Sequence, residues 1–89
     1  MELSDEMLSE ISYVQISTYR IKAMKALEDD VKIHSVIAKD SGIRINHISK
    51  VLLELKAHEL VECINPEVRK GRLYRLTDKG NELLDNFEY

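Results

Sequence analysis

The sequence predicts a mainly helical domain carrying one small β-hairpin, and three features support that expectation. Two apolar-periodic segments flank Ser41-Gly42, and two short period-two runs flank Pro66 to Gly71. A helix-start signal, Thr77-Asp78, follows the second run at once. With 89 residues, 44% of them hydrophobic and 33% charged, the chain makes one domain (1–89) with one modest core. It is too short for a catalytic cleft between domains.

Residues 4 to 27 read as helical throughout, the main part of an N-terminal element spanning 1–27. Ser4 caps the start, and Asp5 and Glu6 suit the positive end of the helix dipole. Met7, Ile11, Val14, Thr18 and Ile21 form one stripe, while Tyr13, Ile16, Ala23, Met24 and Leu27 cover much of the remainder. A helix apolar on more than one side must bury more than one side. Either it packs into its own domain and a partner, or it breaks near Ser17-Thr18; the first is favoured for the distal part. Glu28 to Asp30 is a polar connection.

Lys32 to Asp40 is a short helix with Ile33, Val36 and Ile37 facing in, ended by Ser41 and a left-handed Gly42. A longer helix follows from Arg44 to His58, with Ile45, Ile48, Leu52 and Leu55 on one stripe and Val51 beside them. Together, residues 32–58 make a helix-turn-helix. Val61–Asn65 and Arg72–Leu76 are the strands of a hairpin over 61–76, with Val61 and Cys63 on one face and Tyr74 and Leu76 on one face. A last helix over 77–88 has Leu83, Leu84 and Phe87 as its apolar side. Helix, helix-turn-helix, hairpin, helix is the order of a winged helix-turn-helix.

The remaining totals narrow the function classes. No apolar run exceeds three residues, so no transmembrane helix and no membrane partner are expected. The acidic start has no signal-peptide pattern, and the single Cys63 fits a reducing cytoplasm. No cofactor or metal is expected. His47 and His58 lie about 16 Å apart along one helix, too far to share an ion. The three glycines match no phosphate-binding fingerprint, and no serine sits in a nucleophile-elbow pattern, so the chain is not expected to be an enzyme.

The formal net charge is −3, which argues against a polyanionic partner until its distribution is considered. Residues 1–10 and 81–89 carry no Lys or Arg; all 13 lie in the central 70 residues, which stand at +4 between acidic ends of −4 and −3. Local field matters more than the total. On the third helix, Arg44, Asn46, His47, Ser49, Lys50 and Leu53 lie opposite the apolar stripe, and no acid appears there until Glu54. Lys and Arg donate to guanine, Asn pairs with adenine, and Ser or His serves phosphate or base. Polarity alone would mark only an exposed face. Leu53 is odd on such a face: it could contact a thymine methyl or meet a partner protein, and an isolated exposed leucine is the plainest reading. At the hairpin tip, Arg69, Lys70 and Arg72, with Arg75 beyond, would repel one another without an anion, and a phosphate backbone supplies one. The plainer alternative is a solvated loop paired with Glu62 and Glu67. Tyr74 is placed in the core under the hairpin, and Cys63 reads as a small buried hydrophobe.

"GIRINHISKVLLELKAHELVECINPEVRKGRLYRLTDKG" resembles the winged-helix transcriptional regulators of the MarR and ArsR type, in their compact archaeal form. The likeness rests on Gly42-Ile43, Ile48-Ser49-Lys50, Leu52 with Leu55, Leu60-Val61, Lys70-Gly71-Arg72 and Leu76-Thr77 with Gly80, and covers residues 19 to 80. It implies a regulator that binds double-stranded DNA, with Arg44, Asn46, His47, Ser49 and Lys50 presented to the major groove. Arg69, Lys70 and Arg72 would meet the backbone or minor groove. The family often opens this helix with Ser or Thr where Arg44 stands, and usually has Gly where Glu59 stands. A non-glycine in a left-handed position costs about 1 kcal/mol.

A homodimer is expected, with Met7, Ile11, Val14, Leu84 and Phe87 pairing across a two-fold axis. A winged helix serving as a protein-interaction module of transcription machinery is the alternative. Neither an operator nor a small-molecule effector can be read from the residues.

Overall fold

The computed structural model describes residues 4–28 and 30–87. Glu2 of the acidic start, Asp29 of the polar connection and Glu88 at the end of the last helix lie outside the described residues. Five helices and a three-stranded antiparallel sheet make up the described fold. No helix among them is long and apolar enough to cross a membrane.

The N-terminal segment is two helices, α1 (Asp5–Gln15) and α2 (Thr18–Ala26), rather than one. Ser4 caps α1 by accepting from the Met7 amide at 3.1 Å. Ser17 breaks the run: its backbone is extended (φ −119°, ψ 114°) and its hydroxyl accepts from the Arg20 amide. Serine competes with the helix ladder through its own side chain, which favours caps over interiors. The break folds α1 back onto the rest of the chain, against α2 and α5. The expected partner-facing stripe is therefore corrected. Met7, Val14 and Leu84 are buried in the chain's own core, and Ile11 and Phe87 are half-buried against it.

Before the next helix lies a strand that sequence periodicity did not indicate, β1 (Lys32–Ile33). It pairs with β3 (Leu73–Leu76) in the register Lys32 to Tyr74 and Ile33 to Leu73. The extended Ile33 then opens α3 (His34–Ser41), which buries Ile37 and Ala38 and leaves Val36 exposed, against expectation. Gly42 closes α3 at φ 76°, ψ 12°, as expected, and the Ile43 amide reaches back to the Ala38 carbonyl at 3.1 Å.

Helix α4 (Ile45–Ala57) buries Ile48, Val51, Leu52 and Leu55, with Ile45 left exposed in its first turn. Its C-terminus keeps the geometry that glycine normally supplies. Glu59 has φ 60°, the one positive-φ non-glycine among the described residues. The Glu59 amide donates to the Lys56 carbonyl and the Leu60 amide to the Leu55 carbonyl, both at 2.9 Å. This is a Schellman closure with its apolar contact made by buried Leu60 and Leu55. Glu59→Gly is expected to raise the stability by about 1 kcal/mol, read as a rise in denaturant midpoint at constant slope.

Strand β2 (Val61–Cys63) pairs with β3 in the register Val61 to Leu76 and Cys63 to Tyr74, so the sheet order is β1-β3-β2. Asn65 and Arg72, expected in the strands, belong to the loop between them. Thr77 then caps α5 (Asp78–Asp85): its hydroxyl accepts from the Gly80 amide and donates to the Glu59 carbonyl at 2.6 Å. Leu83 and Leu84 meet Val14, Met24, Leu27, Ile37, Ile48, Leu55 and Leu60 in one core.

Candidate nucleic-acid interface

The outer face of α4 presents Arg44, Asn46, His47, Ser49 and Lys50, all exposed. Arg44 stands at the N-cap, and its side chain makes no capping bond, so the first-turn amides of α4 receive nothing from it. Asn46 and Lys50 are one turn apart on the same face. Leu53, 67% exposed, continues that face toward the C-terminus.

Two hollows border this face. On one side a groove of about 320 Å³ runs between α4 and the start of α2, lined by Ser17, Tyr19, Arg20, His47, Lys50 and Glu54. The Tyr19 and His47 rings lie 5.9 Å apart within it. On the other side a cleft of about 280 Å³ joins α4, the start of α3 and the hairpin loop. Ser49, His34, Arg69, Lys70, Arg72 and Tyr74 line it, and no acid does. Residues far apart in sequence, Ser49 and the Arg69-Lys70 pair, thus share one basic cleft.

The loop holding that pair is braced from inside. Asn65 accepts from the Leu73 amide at 2.7 Å through Oδ1 and donates to the Gly71 carbonyl at 3.1 Å through Nδ2. Gly71 turns at φ 73°. Arg72 folds back, donating through Nε to the Val68 carbonyl at 2.7 Å and through its terminal nitrogen to the Pro66 carbonyl at 3.3 Å. Arg75 pairs with Glu62 at 2.7 Å across the strands.

The four cations near the tip therefore divide. Arg69 and Lys70 enter no ion pair among the described residues and stand exposed. Arg72, expected beside them, closes the loop instead, and Arg75 is held by Glu62. Tyr74 is half-buried under the hairpin as expected, and Cys63 is half-buried with its thiol against Asn65 Oδ1 at 3.6 Å.

Sequence reasoning missed three residues of this region. Asn65 was hidden as a strand end, although an Asn before a Pro-led loop is a turn-forming signal. His34 and Tyr19 carry no pattern in the sequence that marks them, and only the fold brings them beside α4. Compared with protein-family models and with curated proteins, the chain matches none.

Proposed function

We propose that this chain is a winged helix that binds double-stranded DNA as a small cytoplasmic transcriptional regulator. Helix α4 enters the major groove, which admits an α-helix, and the β2–β3 loop acts as the wing on the backbone. One observation carries the reading: the acid-free cleft in which Ser49 of α4 meets the unpaired Arg69 and Lys70. Two open cations beside a polar helix face, in a chain with more acids than bases, support a phosphate partner. Arg72 contributes by fixing the wing's shape.

The test is a salt titration of binding to a random-sequence duplex. Binding is expected near 50 mM salt, with a log-affinity against log-salt slope of about −2 to −4, from Arg69 and Lys70 with Arg44 and Lys50. No binding near 50 mM overturns the reading. It would then favour a winged helix used as a protein-interaction module, for which the exposed Leu53 is the supporting observation.

The regulator is proposed to act as a homodimer, but through a different face of α1 from the stripe expected. The outer side of α1 carries Leu8, Ser12 and Gln15, all exposed, and the helix ends at Ile16, 82% exposed. Pairing there leaves Ile11 and Phe87 at the rim and sets half-sites about 34 Å apart or a multiple of it. Sedimentation is expected to give a dimer at tens of micromolar (about 10–100 µM) and a monomer for Leu8→Glu/Ile16→Glu. An unchanged mass for that variant removes this interface.

A further inference from the structure

Helix α4 carries one acid beside its proposed DNA face. Glu54 lies one turn beyond Lys50, at the i+4 position where opposite charges on a helix pair. A Lys50–Glu54 pair would withdraw the ammonium that the DNA reading needs. The fold gives the carboxylate another partner. Arg20 of α2 reaches across the groove, and its Nε lies 3.4 Å from Glu54 Oε1.

Arg20 is itself anchored. Its terminal nitrogen donates to the Tyr13 carbonyl at 2.7 Å, and its guanidinium lies 3.8 Å above the centre of the Tyr13 ring. Its side chain is only 15% exposed. The residue one turn beyond Glu54 is turned to other partners. His58 stacks on Tyr13 with ring centres 3.6 Å apart, and its Nδ1 faces the Glu10 carboxylate at 3.1 Å. Among the described residues Lys50 enters no ion pair.

We infer that Arg20 is a positioning residue: it holds the Glu54 carboxylate away from Lys50 and so keeps the Lys50 ammonium open for nucleic acid. The Arg20 guanidinium is turned to Tyr13 and Glu54, so its proposed part in binding is indirect. The Lys-before-Glu order is the weaker orientation of an i,i+4 pair, so a fixed guanidinium outcompetes it. This inference rests on the DNA reading for its consequence, and on the charge arrangement alone for its mechanism.

Two measurements separate those layers. Without DNA, the carbon-13 signal of the Glu54 side-chain carboxyl is followed by NMR. Lys50→Met is expected to leave that signal in place in the wild-type background and to move it in an Arg20→Gln background. A shift of equal size in both backgrounds overturns the inference, whatever the protein binds.

With a random-sequence duplex at low salt, Arg20→Gln is expected to bind about fivefold to tenfold more weakly, and Arg20→Gln/Glu54→Gln to return within about twofold of wild type. A merely structural role for Arg20 predicts no recovery, and that result overturns the inference. Glu54→Gln with Arg20 intact is expected to bind at least as tightly as wild type. Weaker binding by that variant overturns the inference even where Arg20→Gln fails to fold. A wild-type protein that binds no duplex removes the DNA reading alone and leaves the NMR arm to decide the placement of Glu54.

Discussion

Gly80→Ala is expected to lower the melting temperature by about 10–20 °C. Alanine normally stabilises a helix over glycine by about 1 kcal/mol, so the expected sign is opposite to propensity. The reason is contact. A Cβ on Gly80 would collide with the Leu60 carbonyl oxygen and would lie 3.1 Å from its carbon and 3.3 Å from Leu76 Cδ2. The obstacle is backbone, and that backbone is fixed. The Leu60 amide closes α4, and the Leu60 carbonyl accepts from the Thr77 amide at 3.1 Å. Overpacking of this kind costs about 2–3 kcal/mol, a large part of the stability of a small domain. Thermal unfolding measured against the wild type checks it; a variant of equal or higher melting temperature would show that α5 does not press on Leu60.

The second large effect divides the proposed DNA surface in two. Arg69→Ala/Lys70→Ala is expected to weaken binding to every duplex alike, by roughly tenfold to a hundredfold near 100 mM salt, and to flatten the salt slope by up to about two units. Both side chains are exposed on the braced loop and unpaired, so they act as point charges. Asn46→Ala or Lys50→Ala is expected to cost about 1–3 kcal/mol on the preferred site and much less on random DNA, since the proposed docking turns these side chains to base edges. Salt series on specific and random duplexes for both sets provide the measurement. Equal proportional losses on both duplexes would end the division of labour between helix and hairpin.

Much of the architecture was legible because local chemistry fixed it. Gly42 needs a left-handed turn, Ser4 and Thr77 are caps, and the stripe of Ile48, Leu52 and Leu55 has one possible direction. The shared faces of Val61 with Cys63 and of Tyr74 with Leu76 followed from period two, and they meet in register. What periodicity could not decide was whether residues 4–27 continue or break, because both halves are helical either way. The outcome at Ser17 determines where Met7 and Val14 point, so the interface expectation failed with it. Strand β1 was illegible for another reason: two residues carry no period, and their partner lies some forty positions away. Arg72 could be recognised as a cation, but its partners are loop carbonyls whose positions depend on the closed shape of the loop. The same holds for Arg20, whose role depends on α2 lying beside α4.

The Asn65 and Arg72 bonds inside the hairpin loop carry a kinetic consequence. A loop already closed by its own side chains loses little conformational freedom when it meets a surface, so no ordering step separates encounter from capture. In the proposed DNA complex, association would then be governed by diffusion and long-range attraction, with rate constants that fall steeply as ionic strength rises. Loosening the loop with Asn65→Ala would leave its two open charges in place while making their capture wait for the loop to find its shape. The defect would lie in how fast the complex forms, with the charge count, and hence the ionic-strength dependence, unaltered.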